Sequence, residues 1–80
     1  MPKTFSIGER IEQELRSRGI QVKDFAEALG LQRPNAYRLF RAHSIDTEIL
    51  YRVCEYLHCD LFREYSERLN FDTRIIDDTE

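Results

Sequence analysis

Residues 22–41 read VKDFAEALGLQRPNAYRLFR, and this stretch decides the fold. It contains two short helical patterns on either side of Gly30, a residue type that commonly ends a helix. Two helices joined by so short a turn must cross steeply, which requires small residues at the crossing and apolar residues around it. The stretch supplies both kinds, with Ala26, Gly30 and Ala36 among Phe25, Leu29, Leu31 and Leu39.

The second helix of this stretch must begin near Pro34, because proline lacks an N–H group and is tolerated only in a first turn. Proline also disfavours the α conformation in the residue before it, so we expect Arg33 to be the boundary. The two helices are therefore predicted over 22–29 and about 34–41. At 3.6 residues per turn, the second helix directs three side chains toward the core. These are Ala36, Leu39 and Phe40.

The opposite side of this second helix is basic. It carries Arg38 and Arg41 together with Tyr37, and Asn35 lies on its flank. Residues 31–44 contain three arginines and no Asp or Glu, in a chain with 15 acidic residues among 80. Arginine can bind guanine O6 and N7 with two hydrogen bonds, and asparagine can pair with adenine. An arginine face without carboxylates therefore favours nucleic acid over an ordinary solvated surface.

Helical periodicity continues before this unit, and no segment shows strand-like alternation. Ser6 is followed three residues later by Glu9, which predicts a capping box at the start of a helix over 7–18. Gly19 is placed to end that helix. The inward residues predicted for it are Ile7, Ile11 and Leu15.

Two more helices are predicted after the unit. Asp46 is the predicted N-cap of a helix over 47–57, and Asp60 is the predicted cap of a fifth helix within LFREYSERLN, residues 61–70. We therefore predict an all-α fold of five helices. The inward residues predicted for the last two are Ile49, Leu50, Val53, Cys54, Leu57, Leu61, Phe62, Tyr65 and Leu69.

The negative charge of the chain is concentrated at its C-terminal end. Eighty residues are close to the lower size at which one hydrophobic core suffices, so we predict one domain over 1–70. Residues 60–80 hold seven acidic residues and three arginines, whereas the rest of the chain has a net charge of +1. The overall charge of −3 is thus a poor guide to the arginine face. We predict an acidic tail over 71–80, whose Phe71, Ile75 and Ile76 are available to a partner.

Other classes of protein have less support in the sequence. Cys54, His58 and Cys59 are close together, but a zinc site requires four ligands and the other histidine is His43. We interpret both cysteines as small buried hydrophobic residues. There is no Gly-rich phosphate loop, no HExxH motif and no nucleophile paired with a base, so we predict no enzymatic activity, metal or cofactor.

The remaining tyrosines lie outside the arginine face, so stacking on single-stranded nucleic acid is not their expected role. We expect Tyr51, Tyr56 and Tyr65 to pack where the fourth helix meets the fifth, or in a dimer contact. No apolar run reaches the roughly 18 residues that cross a membrane. The N-terminus also lacks the apolar stretch of a secretory signal, so we expect a cytoplasmic protein.

The spacing Ala26–Gly30–Ala36–Leu39, with one capped helix before it and SIDTEILYRVCEYLHCDLF after it, resembles the helix-turn-helix of lambda-repressor-like (Cro/XRE-type) transcriptional regulators. The likeness covers roughly residues 6–69. It implies a lambda-repressor-like fold, sequence-specific binding to double-stranded DNA and transcription regulation, in particular repression. It also implies a bacterial or phage-encoded protein at the nucleoid, with the second helix of the motif in the major groove.

The resemblance also implies roles for individual residues. It assigns base contacts to Arg33, Pro34, Asn35 and Arg38. It assigns sugar–phosphate contacts to Tyr37, Arg41 and His43, and the start of the preceding helix adds Gln21 and Lys23. A homodimer on two half-sites about one helical turn apart is expected, through the fifth helix and the tail.

Two residues depart from the family pattern. Val22 stands where many members have a glutamine that contacts the DNA backbone and braces the recognition helix. Ala36 is smaller than the usual Ile or Val, which leaves a gap for Tyr37 or Phe40 to fill. With the overall acidity, Val22 keeps open an alternative, a protein-interaction module or antitoxin with weak or no DNA binding. In an antitoxin, residues 71–80 would bind the toxin.

Overall fold

Five helices organise residues 5–69, which are the residues that the computed structural model describes. They are α1 (Ile7–Arg18), α2 (Val22–Leu29), α3 (Arg33–Arg41), α4 (Thr47–Leu57) and α5 (Arg63–Ser66). No strand occurs between residues 5 and 69, so the all-α prediction with five helices is confirmed. The predicted tail over 71–80 lies outside the described residues.

The predicted helix ends at Gly19 and Gly30 are confirmed. Both glycines have a φ of 69°, in the left-handed region that residues with a Cβ rarely adopt. At Gly30 the turn is closed by two hydrogen bonds: the Leu31 N–H donates to the Ala26 carbonyl at 2.8 Å, and the Gly30 N–H donates to the Glu27 carbonyl at 3.1 Å. These bonds satisfy the last carbonyls of α2 and fix the direction in which the chain leaves it.

The start of α3 lies one residue earlier than predicted. Gln32 is its N-cap residue, and the Gln32 carbonyl accepts the Ala36 N–H at 3.1 Å. This hydrogen bond encloses Arg33 in the first turn, so Arg33 is helical and not the boundary residue. Pro34 still lies in the first turn as predicted. N–H groups in the first turn have no acceptor within the helix, so a proline there costs no intrahelical hydrogen bond.

The capping box predicted at the start of α1 is wrong. Ser6 is the N-cap residue, but its side chain makes no cap hydrogen bond. Ser6 Oγ instead donates to the Ala42 carbonyl at 3.2 Å. The Gly8 N–H donates to the same carbonyl at 3.1 Å, and the Ile7 N–H donates to the His43 carbonyl at 3.3 Å. The first turn of α1 therefore caps the C-terminal end of α3.

One apolar core joins α1 to α4. Every inward residue predicted for α1 and α3 is buried, and so are Phe25, Ala26 and Leu29 of α2. The rings of Phe25 and Phe40 stack with their centroids 5.8 Å apart. Of the two residues expected to fill the gap beside Ala36, Phe40 is buried and Tyr37 is 44% exposed. The buried residues are Ile7, Ile11, Leu15, Phe25, Ala26, Leu29, Ala36, Leu39, Phe40, Leu50, Val53, Leu57 and Leu61.

The predicted start of α4 is confirmed, since Asp46 Oδ1 accepts the Glu48 N–H at 2.7 Å. The predicted inward stripe of α4 is only partly buried. Leu50, Val53 and Leu57 are in the core, whereas Ile49 and Cys54 are half-buried at its edge.

The fifth helix is shorter than the predicted segment 61–70 and spans Arg63–Ser66. Asp60 Oδ1 accepts the Phe62 N–H at 3.1 Å, so Asp60 caps the turn before α5 and not the helix itself. Leu61 is buried in that turn, but the other predicted inward residues are exposed because this helix lies at the edge of a small core. The exposed residues are Phe62, Tyr65 and Leu69.

Charged groups hold α5 against α1. Arg10 Nε donates to Glu64 Oε2 at 2.6 Å, and Arg10 Nη1 donates to Glu14 Oε1 at 2.6 Å. The hydrogen bonds from Arg10 hold the pKa of both carboxyl groups below their usual range. Arg68 also donates to Glu64 at 2.9 Å and lies 3.9 Å above the Phe5 ring. Charge-assisted hydrogen bonds thus compensate for the limited apolar contact of α5.

The three tyrosines predicted at the junction of the last two helices have different surroundings. Tyr56 packs against Phe25 of α2, with ring centroids 6.0 Å apart, a contact that was not predicted. Tyr65 meets Phe5 edge-on at 5.3 Å. Tyr51 is 56% exposed.

Candidate nucleic-acid interface

The nine side chains predicted to contact DNA are all exposed on the surface. The buried side of α3 packs on α1 and α2, and its opposite side faces solvent. The predicted division of α3 into a core side and a basic side is therefore confirmed, while the DNA contacts themselves stay predictions. The exposed residues are Gln21, Lys23, Arg33, Pro34, Asn35, Tyr37, Arg38, Arg41 and His43.

The start of α2 and the start of α3 form one continuous surface. A shallow depression is lined by Gln21 and Lys23 on one side and by Arg33 and Tyr37 on the other. A second depression beside it is lined by Lys23, Glu27 and Arg33 among others. The structure therefore brings residues assigned to the DNA backbone next to residues assigned to bases, although they lie about one helix apart in the sequence.

Eight of the nine arginines in residues 5–69 fall into two groups according to their carboxylate partners, and the ninth, Arg52, donates to a backbone carbonyl. Five of them form ion pairs with glutamates of α1 and of the α5 region. The three arginines of α3, Arg33, Arg38 and Arg41, have no carboxylate partner within residues 5–69. Glu27 is the carboxylate that shares a depression with Arg33. The paired arginines are Arg10, Arg16, Arg18, Arg63 and Arg68.

This pairing leaves the three guanidinium groups of α3 without a carboxylate partner in residues 5–69 of an acidic chain. Ion pairs on α1 and α5 cancel charge locally, so they contribute little to the potential at a distance. The guanidinium groups of α3 retain their full charge and all lie on its exposed side. Such a surface attracts a polyanion and repels other basic surfaces.

Two contacts within α3 orient side chains on its exposed side. Arg38 Nη1 donates to Asn35 Oδ1 at 3.1 Å. The Tyr37 ring meets the Phe40 ring edge-on, with centroids 6.0 Å apart and an interplanar angle of 89°. A side chain that is already held in place loses less conformational entropy when a ligand binds it.

Three residues that position α2 and α3 were not predicted from the sequence. Ser6 and Gly8 hold its C-terminal end, as described above. Arg52 of α4 donates from Nη2 to the Leu29 carbonyl at 3.0 Å and so braces the end of α2. Gly8 had a usable signal, because an isolated glycine inside a helical pattern often has a packing reason. Arg52 had none, since a bracing arginine and a solvated one look alike in sequence.

Val22, the residue that replaces the expected glutamine, is half-buried against the core. It also lines the depression with Arg33 and Tyr37. An aliphatic side chain can support α3 there by packing, but it cannot donate a hydrogen bond to a phosphate.

The cysteine cluster shows no sign of a metal site. Among residues 5–69, no group of three or more His, Cys, Asp or Glu residues is arranged to hold a metal ion. Cys54 and Cys59 are free and half-buried, not fully buried as predicted, because they lie near the end of α4 at the edge of the core. Cys54 Sγ accepts the Leu61 N–H at 3.3 Å. Within the described part of the chain, no helix has the length and apolarity needed to cross a membrane.

Comparison with known proteins gives one match. A family model described as the Cro/C1-type HTH DNA-binding domain matches residues 10–62, a range that contains α2, α3 and all nine predicted contact residues. No curated protein and no solved structure matches the chain. The match and the five-helix architecture together establish the lambda-repressor-like fold. The chain belongs to the Cro/C1-type helix-turn-helix DNA-binding domain family.

Proposed function

We propose that this protein binds double-stranded DNA at specific sequences, with α3 in the major groove, and regulates transcription, most simply as a repressor. Membership of a DNA-binding family supports the nucleic acid as partner. The observation that carries the proposal is the row of three arginines on the exposed side of α3 without a carboxylate partner in residues 5–69. An α-helix fits the width of the major groove of B-DNA.

In this proposal the first residues of α3 contact base edges. Arg33, Pro34, Asn35 and Arg38 are the base-contacting set. Pro34 has no N–H group, so it offers only apolar contact, for instance with a thymine methyl group. The N-terminal placement agrees with the way recognition helices of this kind approach DNA.

The surrounding residues contact sugar and phosphate. Gln21, Lys23, Tyr37, Arg41 and His43 form this set, and their exposure supports it. No side chain caps the start of α2, so its first backbone N–H groups are available to a phosphate oxygen. Backbone contacts of this type fix the register of the protein on DNA without reading its sequence.

We also propose that the protein acts as a homodimer on two half-sites about one helical turn apart. The exposed apolar side chains around α5 support this, because Phe62, Tyr65 and Leu69 offer surface that a second copy would bury. Residues 71–80 would extend that contact or bind another protein.

Selection of binding sites from a random duplex pool tests the proposal, followed by affinity measurements over a range of salt concentrations. We expect an enriched sequence with two half-sites. We also expect log K to fall with log salt by about 0.9 for each phosphate contacted by a cation. Arg16→Ala is the matched control for variants that remove an arginine of α3. Arg16 is an exposed arginine of α1, so its loss removes the same single positive charge away from α3.

The alternative function predicts a different outcome. A protein-interaction module or antitoxin with no role on DNA would enrich no sequence from the pool. The affinity of its complex with a partner protein would depend little on salt concentration. Copurification with a second polypeptide together with indifference to duplex DNA would overturn the proposal.

A further inference from the structure

The hydrogen bond between Asn35 and Arg38 limits what Asn35 can read. The two residues are one helical turn apart on the exposed side of α3, and Arg38 Nη1 lies 3.1 Å from Asn35 Oδ1. A guanidinium group has donors and no acceptor, so the amide atom that faces it must be the oxygen. The Asn35 side chain therefore gives one of the two lone pairs of its single acceptor atom to a neighbour within the protein.

Recognition of adenine by asparagine requires that same oxygen. Adenine presents the N6 amino group as a donor and N7 as an acceptor, so a bidentate asparagine accepts from N6 and donates to N7. While Oδ1 holds Arg38, the adenine amino group can use only the second lone pair of that oxygen, in the amide orientation that the Arg38 contact sets. Hydrogen bonds that involve a charged group are stronger than neutral ones. A contact with adenine that needs a different amide orientation is therefore disfavoured.

The rest of the base-contacting set consists of donors or apolar groups. Arg33 and Arg38 have only N–H donors, and Pro34 offers neither a donor nor an acceptor in its side chain. Guanine is the base that presents two acceptors, O6 and N7, in the major groove, whereas cytosine and adenine each present an amino donor. A surface of donors is complementary to guanine.

On the basis of the DNA-binding function proposed above, we propose that α3 reads guanine through Arg38, and that Asn35 is a positioning residue that orients the Arg38 guanidinium and does not read adenine. The hydrogen bond to Asn35 uses one N–H of Nη1. The edge formed by Nε and Nη2 remains available for the two acceptors of guanine. Asn35 also limits the rotamers of Arg38 before DNA arrives, which lowers the entropy lost on binding.

The test is a double-mutant cycle on the site selected by the wild-type protein. Arg38→Ala identifies the base pair that Arg38 reads, and we expect that pair to contain guanine. Replacement of this base pair should weaken wild-type binding roughly 5- to 150-fold. Replacement of the guanine by 7-deazaguanine, which lacks N7, should weaken wild-type binding by a smaller factor than replacement of the whole base pair. The affinity of Arg38→Ala should not change.

The Asn35→Ala variant then separates positioning from reading. We expect its discrimination at the Arg38 base pair to fall about two- to tenfold, the range expected for loss of one hydrogen bond. In the Arg38→Ala background, Asn35→Ala should have no further effect on discrimination. Alanine is the better helix former, so α3 should remain intact, which thermal unfolding checks. Gln13→Ala, which removes an exposed amide from α1, is the control.

Three results would overturn the inference. One is an Asn35→Ala variant that keeps full guanine discrimination and loses a preference for adenine at another base pair, since Asn35 would then read adenine. Another is an Arg38→Ala variant that relaxes specificity at an A·T base pair, which contains no guanine. The last is a wild-type protein that prefers no duplex, which would overturn the proposed function together with this inference.

Discussion

Gly8 supports a prediction about how α1 positions α3. Gly8 lies in the first turn of α1 against the C-terminal end of α3, and its N–H donates to the Ala42 carbonyl at 3.1 Å. A Cβ atom at Gly8 would lie 2.6 Å from the Phe40 carbonyl oxygen and 2.7 Å from that of Ala42, with the Leu39 carbonyl oxygen nearer still. All three neighbours are backbone atoms, so Gly8→Ala forces the two helices apart.

The expected cost follows from three contributions. Insertion of a methyl group into a packed contact costs typically about 1–3 kcal/mol. The two backbone hydrogen bonds from α1 to the end of α3 would lengthen, each contributing about 0.5–1.5 kcal/mol. The better helix propensity of alanine offsets up to about 1 kcal/mol. We therefore expect Gly8→Ala to lower the free energy of unfolding by about 2–4 kcal/mol, or Tm by roughly 10–30 °C.

Urea and thermal unfolding, followed by circular dichroism, measure this effect. Gly19→Ala is one control, because a Cβ there meets no atom within 4 Å and only the positive φ opposes it; we expect a cost of about 1–2 kcal/mol. Gln13→Ala, at an exposed position of α1, should change stability by less than about 0.5 kcal/mol. A Gly8→Ala variant as stable as the Gln13 variant would refute the close contact between α1 and α3.

Three further predictions concern the charged groups. Arg38→Ala should cost about 1–3 kcal/mol of binding free energy and relax specificity at one base pair; an unchanged selected site and affinity would contradict the docking. Arg41→Ala should weaken binding to all sequences and lower the salt slope by about one, and a shifted base preference would make Arg41 a base reader instead. Because Arg10 lowers the pKa of Glu64, their ion pair stabilises the fold fully above the usual carboxyl pKa of about 4.3. That stabilisation is lost as the pH falls through the lowered pKa of the folded state. Urea unfolding at neutral and at acidic pH measures this loss. The free energy of unfolding should change less between the two pH values for Glu64→Gln than for the wild-type protein, and an equal change would exclude this role of the ion pair.

The sequence predicted the helices well where local signals were strong. The bounds of α1, α2 and α4 are those predicted, because apolar periodicity marks a helix and Gly19, Gly30 and Asp46 mark its ends through their own backbone or side-chain chemistry. The same periodicity divided α3 correctly into a buried side and an arginine side. Signals of this kind depend on residues within one or two turns of each other, so a sequence contains them in full.

The errors occurred where a distant partner competed with a local one. Ser6 and Glu9 form a valid capping pattern, but the Ser6 hydroxyl bonds to Ala42, 36 residues away. The predicted apolar contacts of α5 are largely replaced by ion pairs, including one between Arg10 and Glu64, 54 residues apart. A one-dimensional pattern does not record which of several possible partners comes within 3 Å.

By itself, then, the sequence determined the helical architecture, the core side of each of the first three helices and the presence of an acid-free arginine segment. Helix formation decided most of the ion pairs, because five of the six within residues 5–69 join residues four apart, and tertiary structure added the pair between Arg10 and Glu64. The arginines of α1 and the α5 region lie beside glutamates and pair with them, whereas those of α3 have no such neighbour in the described chain. Folding also joined the start of α2 to α3 as one surface. The physical reason is that contacts between segments far apart in the sequence depend on distances in space, which are set only when the core has packed.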